Sequence, residues 1–327
     1  MAEIFDSGST ASKAWAVRTQ GLTKKFGGES AVRNITFQIP QGKIFGFIGP
    51  SGCGKTTTVR LLTGIYQPTS GEVDVLGVHP KNFNARMRSR IGYMPQQFVL
   101  YPDLTILENL NFAASLYGLG VFNRIKRINK MLDFVELKEH KNKLTRKLSG
   151  GMQRRLSLAA TLIHDPEVIF LDEPTAGIDP ILREKFWDRF RDLQTEGRTL
   201  FITTQYVGEA AYCDYIVVMA NGELLMVDTP QGLRRRAFGG EVIDVQSKAP
   251  LTWDEVRQLN NLPYLKRNGI DLGNNSFRVI VDDTSVALPA LLEWFQSKNI
   301  AIESAKEFLP PFDDVFVILV REGSKNV

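Results

Sequence analysis

The chain alternates short, wholly apolar runs with longer stretches of helical periodicity. Ile44-Phe45-Gly46-Phe47-Ile48 contains no polar position and reads as a buried strand. The segment Thr56 to Leu62 reads as a helix that ends near Gly64. The pairing recurs downstream. A helix predicted over Gln153 to His164 stops ahead of Pro166, and Val168-Ile169-Phe170-Leu171 then forms an apolar strand that runs into Asp172 and Glu173. Thr199 to Thr204 is a further strand. Strands apolar at every position belong to parallel sheets covered on both faces, so the expected class is α/β. Between Gln96 and Leu148 the pattern is helical. A capping box, Thr105-x-x-Glu108, opens a helix that ends near Gly118, and a second amphipathic helix carries Ile125, Ile128, Leu132 and Val135 on one face. Asn221-Gly222 between Tyr215 to Met219 and Glu223 to Val227 predicts a hairpin.

A second unit follows the hairpin. It reads as strand Val242 to Gln246, helix Trp253 to Leu259, strands near Tyr264 to Lys266 and Phe277 to Val281, helix Val286 to Lys298 and strand Ala301 to Ala305. That order, βαββαβ, suggests a small ferredoxin-like α+β domain. Phe312 to Val320, after Pro310-Pro311, is expected to pack back as a short helix. The expected organisation is a tail over residues 1–16, a first domain over 17–228 with a helical subdomain at about 98–148, a linker over 229–240 and an accessory domain over 241–327.

Composition narrows the class. At 327 residues the chain accommodates two cores, and 43% hydrophobic with 23% charged residues is ordinary for a water-soluble protein. No apolar run reaches bilayer-spanning length. The polar N-terminus MAEIFDSGSTASKAW lacks an apolar signal core, which predicts a flexible cytoplasmic tail. Two cysteines, Cys53 and Cys213, make no disulfide framework, and His79, His140 and His164 are not spaced to share a metal. A net charge of +4, from 40 basic and 36 acidic residues, is too mild to argue for nucleic acid. The basic clusters Arg234-Arg235-Arg236 and Arg124 to Lys130 read as solvated helix faces.

The chemistry enters at Gly49-Pro50-Ser51-Gly52-Cys53-Gly54-Lys55-Thr56-Thr57, which fits G-x-x-x-x-G-K-[ST] between a strand and a helix. Glycines let backbone N–H groups converge on phosphate oxygens, and the helix N-terminus adds a favourable dipole. Lys55 is placed to reach the β- and γ-phosphates of a nucleoside triphosphate, and the Thr56 hydroxyl to ligate magnesium. An ordinary glycine-rich turn is the alternative. Asp172 and Glu173 stand where a parallel sheet presents ligands, at a strand C-terminus. They look like a Walker B pair, with Asp172 on the magnesium and Glu173 as general base for the attacking water. Cys53 lies beside Lys55 and a helix N-terminus, an environment that favours thiolate; a small space-filling residue is the equal alternative.

Leu148-Ser149-Gly150-Gly151-Met152-Gln153, just before a predicted helix, identifies the family that the chain resembles. It is similar to the LSGGQ signature of the ATP-binding cassette family, with Met152 before the glutamine as in many exporter-branch members. A serine and two glycines at a helix N-terminus make a second anion site. The resemblance covers roughly Val17 to Asp228. It implies a P-loop cassette with a mostly parallel core sheet and antiparallel and helical subdomains. It further implies ATP and Mg2+ as ligands, and a signature that binds the γ-phosphate of ATP held by the opposite subunit. Phe26 matches the aromatic residue that stacks on adenine, a core phenylalanine being the alternative. Gln96 matches the Q-loop glutamine that contacts magnesium and the attacking water, and Asp179 the D-loop. Gln205 stands where the family usually carries a switch histidine; it can donate an amide N–H to phosphate but cannot become cationic. In this it resembles the daunorubicin-resistance type of exporter ATPases.

The resemblance implies partners as well. A second ATPase subunit, in a homo- or heterodimer, completes each site. An integral membrane permease receives the helical subdomain, which places the chain on the cytoplasmic face of the membrane. The expected function is therefore the ATP-hydrolysing subunit of a transporter, an exporter by resemblance. The alternatives are a soluble cassette ATPase and a nucleotide-gated clamp with negligible turnover.

Overall fold

The computed structural model describes residues 15–273 and 275–323, which divide into two compact units, one up to Val227 and one from Asp228. Most of the tail expected over 1–16 lies outside the described residues, but Trp15 and Ala16 do not belong to it. They open β1 (Trp15–Phe26), where Trp15 pairs with Pro40 of β2 (Glu29–Pro40). Backbone pairing, rather than hydropathy, sets that start.

In the first unit β3 (Ile44–Ile48) leads into α1 (Lys55–Leu62), as expected. Then come β4 (Ser70–Val75), a single turn α2 (Ala85–Arg88) and β5 (Ile91–Met94). The helical part holds α3 (Ile106–Leu116), α4 (Val121–Phe134) and α5 (Gly150–Leu162). The chain returns through β6 (Val168–Asp172), α6 (Pro180–Thr195), β7 (Thr199–Thr204) and the strands β8 (Tyr215–Ala220) and β9 (Glu223–Asp228). The central sheet runs β5-β6-β7-β3-β8-β9 and is parallel from β5 through β8. A three-stranded antiparallel sheet, β2-β1-β4, joins it.

Every residue of β3, β6 and β7 is buried, which explains their uninterrupted apolar sequence. Phe45, Phe47, Phe170 and Phe201 form one core with Val59, Leu61 and Leu62 of α1 and with Val17, Ile35 and Val75 of the antiparallel sheet. Register decides where the chemistry converges. Met94 pairs with Leu171, Asp172 with Thr203 and Thr204 with Ile48, so four strands end along one line. The segments beyond that line hold Gln96, Glu173, Gln205 and the loop from Gly49.

The helical part departs from its sequence reading in detail. The Thr105 capping box forms as read, with the Thr105 N–H donating to Glu108 Oε2 at 2.7 Å and the Glu108 N–H to Thr105 Oγ1 at 3.2 Å. The buried stripe of α4 is narrower than expected: Ile128, Leu132 and Val135 are buried, but Ile125 is 55% exposed, one turn too close to the exposed N-terminal end of the helix. The basic run is not simply solvated either, because Arg127 donates to the carbonyls of Leu162 and Ile163. Helix α5 begins at Gly150 rather than Gln153, since Ser149 caps it by accepting from the Met152 N–H at 3.3 Å.

The second unit contains no extended linker over 229–240. Instead Thr229 caps α7 (Pro230–Phe238), Pro230 takes the first position where its missing N–H costs nothing, and Gly239 ends it at φ 77. The rest is β10 (Glu241–Ser247), α8 (Trp253–Asn260), β11 (Leu265–Gly273), β12 (Ser276–Val281), α9 (Thr284–Ser297), β13 (Ile302–Phe308) and α10 (Phe312–Gly323). The antiparallel order β11-β12-β10-β13 is that of a ferredoxin-like sheet. Ile243, Val245, Phe277, Val279 and Val281 pack against Leu259 of α8 and Ala287, Leu291 and Phe295 of α9. Arg234 is not a solvated residue, because its Nε donates to Pro310 and its guanidinium lies 4.2 Å from the Phe312 ring.

His164 stacks on Tyr117 at 3.6 Å and donates from Nε2 to the Ile91 carbonyl, while its buried Nδ1 has no partner. Burial holds its pKa below the ordinary value of 6.5. The unfolded chain therefore takes up a proton that the native state resists, and stability is lost as pH falls below that value. Urea unfolding between about pH 7.5 and 5.5 is expected to show this loss, with a slope of at most about 1.4 kcal/mol per pH unit from this group. His164→Gln, which keeps an N–H donor, is expected to flatten the slope.

Candidate active site

The loop between β3 and α1 is shaped by close approach. Gly54 has φ 107, and a Cβ there would lie 2.4 Å from the Ala31 carbonyl oxygen; a Cβ on Gly49 would lie 2.2 Å from that of Met219. No side chain caps α1, because its N-cap is Gly54. Its first N–H groups are therefore free to bind an anion. Lys55 is buried, and its Nζ donates to the carbonyls of Gly49 at 2.7 Å and Pro50 at 3.1 Å, across the mouth of the loop.

Asp172 anchors the other side. Its carboxylate is wholly buried, with Oδ1 accepting from the hydroxyls of Thr203 at 2.6 Å and Thr56 at 3.1 Å. Its Oδ2 has no hydrogen-bond partner. A buried carboxylate oxygen with no donor is costly to desolvate, and a hard cation beside it offsets that cost. No group of three or more His, Cys, Asp or Glu side chains among the described residues is placed to hold a metal. The donor set of one carboxylate and one threonine hydroxyl suits Mg2+, which retains waters and shares phosphate oxygens.

Glu173 follows β6 with φ 51, a left-handed conformation uncommon outside glycine and frequent at functional sites. Its N–H donates to the Thr203 carbonyl and to Thr203 Oγ1, both at 3.0 Å. Its Oε2 accepts from Gln96 Nε2 at 2.9 Å. Ser51 Oγ donates to Gln205 Oε1 at 3.2 Å, so Gln205 lies against the loop with its amide N–H groups available to donate. The structure thus brings together Lys55, Thr56, Asp172, Glu173, Gln96 and Gln205, drawn from four separate parts of the chain.

Two groups stand apart. Residues 148–153 make no hydrogen bond to residues 49–57 among the described residues: Ser149 is exposed at the N-cap of α5, and Gln153 donates back to Leu148 and Thr145. Asp179 caps α6 by accepting from the Leu182 N–H at 2.9 Å, and a Cβ on Gly151 would meet Leu182 Cδ2. Phe26 is 45% exposed, in edge contact with Tyr66 at 5.3 Å, with Lys24 Nζ 5.0 Å from its ring. The core alternative for Phe26 does not hold. Cys53 departs from the thiolate reading. It is buried, and desolvation raises its pKa above the ordinary thiol value, outweighing the pull of Lys55. The space-filling alternative fits.

Sequence reading missed Thr203, Tyr66 and Arg154. Thr203 bonds both acidic residues, and its only sequence signal is a place near the end of an apolar strand. Arg154 is buried and donates from Nη1 to the Gln96 carbonyl and from Nη2 to that of Ala176.

A phosphate-binding loop, a strand-end aspartate and glutamate, and an anion-ready helix cap on one α/β scaffold define a P-loop ATP-binding cassette. Comparison with known proteins places it further: the ABC transporter family is matched over residues 32–176. The chain is 38% identical over 227 residues to the Nod factor export ATP-binding protein I of Ralstonia nicotianae, covering 69% of this chain and 71% of that protein. It is 38% identical over 228 residues to the "probable multidrug ABC transporter ATP-binding protein YbhF" of Escherichia coli K12, covering 70% of this chain. The match spans 39% of the length of that relative. Among solved structures, a dimeric ATP-binding cassette in a post-hydrolysis state with ADP and Pi superposes with a TM-score of 0.61 at 29% identity. That match covers 65% of this chain and 98% of the other. The chain belongs to the family of ABC transporter ATP-binding proteins.

Thr203→Val keeps the β-branched shape and removes both hydrogen bonds. It is expected to cost about 1–2 kcal/mol of stability, read by urea unfolding, and to lower kcat for ATP about tenfold. A variant with native turnover and native stability would show that Thr203 does not hold the acidic pair.

Proposed function

We propose that this chain is the Mg2+-dependent ATP-hydrolysing subunit of an exporter-type transporter, working as a dimer on a separate membrane permease. The observation that carries the reading is the contact of Gln96 with Glu173, one residue beyond the magnesium-type aspartate Asp172 and across from the lysine loop. In this mechanism the N–H groups from Gly52 to Thr57, with Lys55, hold the β- and γ-phosphates. Thr56, Asp172 and Gln96 would hold Mg2+, which when bound would neutralise charge on the phosphates. Glu173 accepts the proton of the attacking water at its carboxylate, and Gln96 fixes that carboxylate's orientation. Gln205 donates its amide toward the γ-phosphate, and Phe26 offers a ring face to adenine.

The exposed Ser149 and Gly150 at the N-terminus of α5 are a second phosphate seat that the chain's own loop does not use. We assign it to the ATP of a facing subunit, with Leu148 packing beneath and Gly151, Met152 and Gln153 completing the turn. Asp179 then lies near the same junction. A twofold arrangement gives two identical sites. The permease assignment rests on the family, on the names of the relatives, and on exposed apolar side chains in the helical part. Phe122 is 90% and Val99 75% exposed, with Leu116 and Ile125 also in solvent. No helix among the described residues is long and apolar enough to cross a membrane. No nucleic-acid partner is proposed.

Glu173→Gln keeps the Gln96 contact and removes the base. It is expected to bind ATP, to lower hydrolysis at least about hundredfold and to accumulate ATP-bound dimers by size-exclusion chromatography. Hydrolysis at the native rate would exclude Glu173 as the base. Gentle solubilisation of native membranes with the tagged chain is expected to yield a multi-spanning protein in stoichiometric amount. Recovery of only soluble proteins, with ATPase activity intact, would keep the cassette and remove the transporter.

A further inference from the structure

Arg154 links parts of the molecule that chemistry treats separately. It lies on α5, five residues after the capping Ser149, so its Cα stands about 7 Å along the helix axis from the second phosphate seat. Its side chain is buried, and the two arms of its guanidinium donate to different segments. Nη1 reaches the Gln96 carbonyl at 2.9 Å and Nη2 the Ala176 carbonyl at 3.1 Å. The Phe98 ring covers the group at 4.8 Å.

Both carbonyls belong to residues that touch Glu173. Gln96 donates its side-chain amide to the Glu173 carboxylate, and the Ala176 N–H donates to the Glu173 carbonyl at 3.2 Å. One planar fork therefore grips both supports of the proposed general base, from the helix whose N-terminus is the signature. Burial lowers the pKa of the Arg154 guanidinium, and the charge of Glu173 opposes that shift. A lysine ammonium has neither the reach nor the planar geometry to hold both carbonyls at these angles.

We infer that Arg154 is a positioning residue that carries the seating of the signature helix to Glu173, and so couples the two ATP sites of a dimer. This rests on the paired-site reading above. In a twofold dimer the signature of one chain closes on the nucleotide of its partner, while Arg154 of that same chain holds the glutamate of its own site. Seating of α5 on one nucleotide thus sets the base that attacks the other. Positive cooperativity of hydrolysis follows, with Arg154 as the mechanical link. The link is a rigid helix and four hydrogen bonds, without a long pathway.

The test compares the full chain with R154Q and R154K in steady-state ATP hydrolysis, with binding of a fluorescent ATP analogue measured alongside. The native chain is expected to hydrolyse ATP with a Hill coefficient approaching about two. In R154Q the coefficient is expected to fall to about one and kcat about tenfold, with analogue affinity within about twofold of native. R154K, which keeps the charge and stem but not the fork, is expected to follow R154Q, and it carries the test alone if R154Q does not fold. A folded variant with the native Hill coefficient overturns the proposal even if kcat falls, because a merely structural arginine would scale both sites equally. A native chain with a coefficient of about one, whose E173Q form fails to dimerise with ATP, overturns the paired-site reading instead.

Discussion

The buried carboxylate of Asp172 is the constraint on which the rest of the active site depends. An ion is costly to bury, and this one sits at the end of a central strand with no exposed surface. Two hydroxyls on Oδ1 offset part of that cost, one from α1 and one from β7. The carboxylate therefore locks the start of the lysine-bearing helix to the middle of the sheet. It is also where the cation that completes its coordination would serve the reaction. Structural and chemical demands coincide at this one group.

Parallel register distributes the remaining parts. Because Asp172 pairs with Thr203 and Thr204 with Ile48, the strand ends align, and every segment leaving that edge enters one crevice. Thr203 then reaches both acidic residues without any loop having to be shaped for it. Gln96 arrives from the segment after β5, the edge strand of the central sheet. The Arg154 fork ties that segment to α5.

The second unit solves a different problem. Its sheet buries one face against α8 and α9, a self-sufficient core of Ile243, Val279, Leu291 and Phe295. Helix α7 opens it with its own cap, proline and terminal glycine.

Local rules made much of this legible in the sequence. Unbroken apolar runs at β3, β6 and β7 follow from burial on both faces, and the loop from Gly49 to Thr57 follows from phosphate geometry, so both could be read from neighbouring residues alone. The capping box at Thr105 and the left-handed turn at Asn221-Gly222 are equally local. Errors arose where a distant partner decided the outcome. Trp15 becomes strand through Pro40, and Cys53 is pushed toward the thiol by burial that no sequence neighbour reveals. The roles of Thr203 and Arg154 belong to the same class, because hydrogen bonds to residues 30 and 58 positions away exist only once the sheet has formed. The sequence by itself determined which residues could bind phosphate and metal, since those requirements reside in residue type and short spacing. Tertiary structure alone decided which of them meet and what holds them, since register and burial are properties of the assembled fold.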